Sequence, residues 1–171
     1  MKKILSIALS LLMIFALCSV AFAAGTPDKL SFNADGTFKI LQINDTQDID
    51  NMNKKTVAFL KAGIAQEKPD LIVVPGDMLS DMFIGATPKR IKKALTALGT
   101  IFNDAKVPFA VTLGNHDHDL EKKVSTKEMM DVFKQFEYCV SQAGTTENDP
   151  GSYSVPVYSS KDSSKMALNV Y

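Results

Sequence analysis

The residues of this chain best suited to chemistry stand at Gly114-Asn115-His116-Asp117, with two further candidates, Asp45 and Asp77, upstream. Each follows an apolar run. Ile40-Leu41-Gln42-Ile43-Asn44 leads to Asp45, Leu71-Ile72-Val73-Val74-Pro75-Gly76 to Asp77, and Val107 to Leu113 to the tetrapeptide. Three buried strands that each place an oxygen donor past their C-terminal ends would converge on one sheet edge, where open α/β folds keep their binding sites. The carboxylates of Asp45 and Asp77 and the amide oxygen of Asn115 suit hard or borderline divalent ions (Mn²⁺, Fe, Mg²⁺, Zn²⁺), usually with imidazoles added. One carboxylate with two free oxygens can bridge two ions about 3.5–4 Å apart, a spacing suited to in-line displacement at phosphorus. His116, beside the amide ligand, is placed to protonate a leaving group. Asp117 is expected to hold its ring nitrogen and raise its pKa.

Taken singly, these residues have plainer readings. An aspartate after a strand commonly caps the next helix, and Gly-Asp is a common turn. The order of all three, each behind an apolar run, favours a metal site. Gly76 and Gly114 would let the chain turn sharply off the strand ends. His118 lies two residues beyond His116 on the same loop and is expected at the rim or in solvent. No histidine follows it. A lone metal or anion site built from residues 115–118 is a narrower alternative.

The elements that must position these groups alternate. Leu30-Ser31-Phe32 and Thr37-Phe38-Lys39-Ile40 flank an Asp35-Gly36 turn and read as a β-hairpin whose second strand runs on into Leu41-Gln42-Ile43. A helix is expected from about Asn53 to Glu67, with Val57, Leu60 and Ile64 on one face and Pro69 closing it. Leu71 to Val74 reads as a strand buried on both faces. Thr87-Pro88 opens a helix with a stripe of Ile91, Ala94, Leu95, Leu98, Ile101 and Phe102, and Val107 to Leu113 forms the third strand. Ser125 begins the last helix, with Glu128 as capping-box partner and Met129, Val132, Phe133, Phe136 and Val140 along its apolar side. Strand and helix alternating three times predicts a mostly parallel sheet with crossover helices. Tyr153 to Tyr158 and Met166 to Tyr171 then read as a hairpin around a Ser/Lys/Asp turn.

Composition bounds the rest. With 171 residues and 46% apolar content, one domain with a real core is the expectation. Met1-Lys2-Lys3, the apolar run Ile4 to Val20 and Ala21-Phe22-Ala23 read as a cleaved secretory leader, residues 1–23. Residues 24–36 then form a tether and first hairpin strand, and 37–171 the catalytic-type domain. Without Lys2 and Lys3, 17 basic residues face 19 acidic ones, and no basic patch supports nucleic-acid binding. No stable membrane span would remain after processing. Cys139 would be the single cysteine left, read as a packed core thiol in a helical stretch, with no internal disulfide available.

The order Asp45-Thr46-Gln47, Gly76-Asp77 and Gly114-Asn115-His116-Asp117 resembles the first half of the calcineurin-like metallophosphoesterases. The wording around these motifs (Lys39 to Ile43, Val155 to Ser160) is similar to a secreted bacterial branch related to purple-acid-phosphatase-like proteins. The resemblance covers about residues 37–171. It implies the N-terminal portion of a four-layer α/β/β/α sandwich with two divalent ions (Mn, Fe, Zn or Mg) and a metal-bound hydroxide that attacks a phosphate ester, small or macromolecular. Carried over by position, Asp45 would bind the first metal, Asp77 would bridge, and Asn115 would bind the second metal and the phosphate. His116 would contact substrate and protonate the leaving oxygen, and Asp117 would orient it. Gln47 stands where the family has histidine, so the first metal position would be weakened or retuned toward Mn²⁺ or Mg²⁺. The family's later imidazoles, a lone His and a Gly-His-x-His element, are not among these 171 residues and would be expected beyond Tyr171. The chain is therefore expected to be the N-terminal part of a longer hydrolase. The alternative is a non-catalytic secreted binding or scaffold protein that keeps the fold.

Overall fold

The structure, a computed structural model, describes residues 29–80, 86–142, 144 and 151–171. The expected leader and nearly all of the tether ahead of Leu30 lie outside the described residues. Six strands and four helices follow in order: β1 (Leu30–Ser31), β2 (Ile40–Gln42), α1 (Lys54–Glu67), β3 (Leu71–Val74), α2 (Pro88–Asp104), β4 (Phe109–Val111), α3 (Asn115–His118), α4 (Thr126–Lys134), β5 (Val155–Tyr158) and β6 (Met166–Val170).

The helix boundaries follow from capping chemistry. The Asn53 side chain accepts the Lys55 N–H at 2.9 Å and starts α1. Lys68 ends it in the left-handed region (φ 47°), just ahead of Pro69. Thr87 caps α2 by accepting from Arg90 N, with Pro88 in the first turn, where its missing N–H costs nothing. Ser125 and Glu128 form the expected reciprocal capping box at the start of α4.

Strands β2, β3 and β4 make one parallel sheet, with Leu41 level with Ile72 and Val73 level with Ala110. Because side chains alternate, the sheet has two apolar faces. Ile72, Val74, Phe109 and Val111 face α1, α2 and α4 and join Leu60, Ile64, Leu95, Phe102 and Phe133 in the main core. Leu71 and Ala110 face the other way, onto Leu30, Val155 and Val157 of a second sheet ordered β1-β5-β6. Helices, parallel sheet and second sheet form successive α, β and β layers, the α/β arrangement expected of the N-terminal portion of a metallophosphoesterase sandwich.

Two local readings are corrected. The Asp35-Gly36 turn forms, with Asn33 N bonding Thr37 O and Gly36 at φ 84°, but its arms do not make a hairpin. β1 pairs in parallel with β5 and β2 in parallel with β3, so the turn hands the chain from one sheet to the other. Helix α4 stops at Lys134, short of Phe136 and Val140. The following segment runs beside β4 instead: Phe109 N bonds Tyr138 O, and Val140 N bonds Phe109 O. Cys139 bridges Phe109 in extended backbone rather than on a helix, and burial pushes its thiol pKa up, as suits a packed core thiol.

Candidate metal centre

The segments that leave β2, β3 and β4 meet at the strands' C-terminal edge. Asp45 N donates to Gly76 O (3.3 Å), Gln47 N to Asp77 O (3.1 Å) and Asp48 N to Met78 O (3.1 Å), so the first two loops run side by side. The third joins through a side chain: His116 N donates to Asp77 Oδ1 at 3.0 Å. The contact leaves no room for a methyl group. A Cβ on Gly76 (φ 116°) would lie 2.1 Å from Gly114 N, and one on Gly114 would lie 2.2 Å from Asp77 Oδ1. Both glycines are needed for close approach, and Gly76 also for its left-handed backbone.

Strain gathers at this edge. Asp45 (φ 56°), Gln47 (φ 41°) and Asp77 (φ 51°) are three of the five non-glycine residues with positive φ among the described residues. Aspartate tolerates this region through local hydrogen bonding and glutamine less so; such residues persist where surrounding structure holds them, commonly at functional sites.

The donors differ in their commitments. One Asp45 oxygen accepts from the neighbouring Asn44 amide. Asp77 gives one oxygen to His116 N. The other oxygen of each, and the side chains of Gln47 and Asn115, have no hydrogen-bond partner among the described residues. Asp45 and Asn115 are exposed, and Gln47 and Asp77 half-buried. Neither aspartate caps the helix that follows it in sequence, since α1 is capped by Asn53 and α2 by Thr87. Two carboxylates and two carboxamides form an oxygen-only set, which fits a hard ion such as Mg²⁺ or Mn²⁺. Among the described residues no group of three or more His, Cys, Asp or Glu gathers to hold a metal, so these donors fit part of a dinuclear centre rather than all of it.

Asp117 does not orient His116. It is fully buried, and its oxygens accept from Leu79 N (2.9 Å), Gly114 N (3.0 Å) and Met78 N (3.4 Å). It braces the β3 loop against the β4 loop. Burial pushes its carboxyl above the ordinary range, and the three N–H donors pull it back. Sequence adjacency misled because consecutive residues on a helical turn do not face each other, whereas residues three apart do. The group on the His116 ring is Asp119, with Oδ2 3.1 Å from Nδ1. Once residues 115–118 are seen to open a helical turn, that i, i+3 spacing is the signal that locates Asp119. His118 is exposed, as expected of a rim residue.

Residues 38–168 match the profile described as Calcineurin-like phosphoesterase. The chain belongs to the calcineurin-like phosphoesterase family. Proteins of this family generally use dinuclear metal centres. Among curated proteins, the chain is 31% identical to probable inactive purple acid phosphatase 28 of Arabidopsis thaliana, over 75% of this chain and 38% of that protein. Probable inactive purple acid phosphatase 29 of the same plant is 29% identical, over 84% of this chain and 41% of that protein. For probable inactive purple acid phosphatase 14 the identity is 31%, over 67% and 31%. The chain thus spans 31% to 41% of the length of these three relatives. No solved structure gives a significant match.

Proposed function

We propose that this chain carries the strand-end half of a metal-dependent phosphoesterase site, in an exported protein whose whole length hydrolyses phosphate monoesters or diesters. The observation that supports this reading is the meeting of Asp45, Gln47, Asp77 and Asn115 at one edge, the first three in left-handed backbone, with side-chain oxygens left over beyond the one each that Asp45 and Asp77 give to the fold. Asp45 and Gln47 would hold one ion, Asp77 would reach both, and Asn115 would serve the second ion and the phosphate. When bound, the ions supply positive charge to the phosphoryl group and lower the pKa of a water. The chain's own contribution is positional. Asp77, fixed by the His116 N–H, and the braced Gly114 turn hold the donors in place, while His116 gives a proton to the departing oxygen.

Export rests on the leader-like residues 1–23, and the bacterial secreted branch on the wording around the motifs. Among the described residues no helix is long and apolar enough to cross a membrane.

The test is metal content and turnover of a generic aryl phosphate by the full-length protein, with Asp77→Asn beside it. Loss of both in the variant is expected; retention of both would refute the assignment. A second reading, a non-catalytic module on the same fold, is favoured by Gln47 and by relatives whose names carry "probable inactive". Tight metal binding without turnover of any monoester or diester would select it.

A further inference from the structure

We propose that Asp119 is the positioning residue for His116, and that it selects the ring form with the proton on Nδ1, which leaves Nε2 for proton transfer. His116 Nδ1 and Asp119 Oδ2 are 3.1 Å apart on the same face of one helical turn. An ionised carboxylate only accepts, so the short contact requires Nδ1 to be the donor. With the proton on Nε2 instead, an Nδ1 lone pair would face the anion. The neighbouring carboxylate cannot serve, because both Asp117 oxygens are occupied by backbone N–H groups in the core. Nε2 has no hydrogen-bond partner among the described residues, so it is the nitrogen free to meet another group. Which nitrogen of a functional histidine carries the proton is commonly set by the bond the other nitrogen makes.

The catalytic consequence rests on the phosphoesterase reading; the ring form does not. In that reaction the doubly protonated, cationic ring would lose its Nε2 proton: the Nε2–H bond breaks, an O–H bond forms on the departing alkoxide, and the ring becomes neutral with Nδ1–H still on Asp119.

The experiment exploits composition. The chain has two histidines, His116 and His118, so a ¹⁵N-histidine spectrum contains two rings, and His116→Gln assigns them. The spectrum is recorded on the metal-free chain at about pH 8.5, well above the usual histidine pKa. His116 is expected in the Nδ1–H form and exposed His118 in the Nε2–H-rich mixture of free imidazole. Asp119→Ala should convert the His116 pattern to that of His118 without moving His118, and Asp119→Glu should restore much of it. Both Asp119 and the His116 ring are part-exposed, so the variants are expected to fold, checked by an unchanged melting temperature. Matching patterns for the two rings in the unmodified chain, or an unchanged His116 in Asp119→Ala, would overturn the proposal. In the full-length enzyme Asp119→Ala should lower kcat roughly 10–100-fold with little change in KM, the scale seen when outer hydrogen-bond partners are removed. Absence of turnover in the unmodified enzyme would count against the phosphoesterase reading while leaving the ring assignment standing.

Discussion

The two sheets of this molecule have the same number of strands and different degrees of closure. The parallel sheet β2-β3-β4 is backed by three helices, and Ile72, Val74, Phe109 and Val111 are all 0% exposed. The second sheet, β1-β5-β6, touches the first through Leu30, Val155 and Val157, but on its outer strand Met166 is 57% and Leu168 37% exposed. Asn169, on that strand, buries a side-chain oxygen with no hydrogen-bond partner among the described residues. The sheet that carries the candidate site receives its covering layer from its own crossover helices, close in sequence. The second sheet joins β1 to strands more than a hundred residues later and has no described helix behind it. Rigidity at the site therefore comes from the first sheet and its loop braces.

Truncation to alanine in each of the two sheets tests this contrast most directly. Phe109 packs against Phe102, Phe133 and Phe136, with ring centroids 5.4, 6.5 and 6.2 Å away. Phe109→Ala should cost about 3–5 kcal/mol in urea unfolding. Leu168→Ala should cost less than about 1 kcal/mol, because much of that side chain already meets water. Similar losses at the two positions would break the comparison. Next in size is the brace. Asp117→Ala would leave two buried backbone donors and one part-buried donor unmatched and should cost about 2–4 kcal/mol. Asp117→Asn should recover only part of this, since its amide can present one oxygen where three N–H groups converge. If Asp117→Ala left stability intact while metal affinity fell, Asp117 would be a ligand rather than a brace.

A smaller effect probes the tie between the sheets. Tyr153, just ahead of β5, donates from Oη to Val111 O at the end of β4 (2.6 Å) and lies 3.0 Å from Ser141 Oγ. Burial pushes its phenol pKa up to about 12. Tyr153→Phe should cost about 1–2 kcal/mol, seen as a lower urea midpoint. Faster amide exchange should then appear in β5 and β6 rather than in β3. Uniform loosening of both sheets would show that they unfold as one unit and are not unequal partners.

The same contrast explains what could be read from the chain. The first sheet and its helices are encoded locally. Leu71–Val74 is a continuous apolar run, the α2 stripe repeats at helical spacing, and Asn53, Thr87 and Ser125 are cap residues next to the helices they start. Pairing partners are not local. The Asp35-Gly36 turn announces a reversal, yet whether its arms pair with each other or with β5 and β3 depends on where Phe32 and Phe38 find apolar surface, and both pack with the inter-sheet cluster. The end of α4 was hidden for a related reason. Phe136 and Val140 keep helical spacing, but the open edge of β4 at Phe109 offers backbone partners that a helix would not use. At the site, residue types and loop order were visible, whereas the division of labour between Asp117 and Asp119 became legible only with the helical turn that sends them opposite ways.

The smallest expected effect lies in the helix layer that, among the described residues, only the first sheet possesses. Lys92 of α2 reaches Glu128 of α4 at 2.7 Å, joining two helices over the same face. The Lys92 ammonium, then the Ser125 hydroxyl and N–H, hold the Glu128 carboxyl down to about 2, from an ordinary 4.5. Since the folded value is the lower one, the unfolded chain binds more protons between these limits. The contribution is therefore fully present above pH 4.5 and is lost as pH falls through 4.5 toward 2. Urea midpoints of the unmodified chain and Glu128→Gln should differ most at about pH 6, converge by about pH 2, and draw together in high salt because both side chains are part-exposed. A gap that stayed constant across this range would mean that Glu128 acts through its neutral capping geometry alone. The helix layer would then owe its rigidity to the apolar stripe of α2 and α4, and none of it to the charge pair between them.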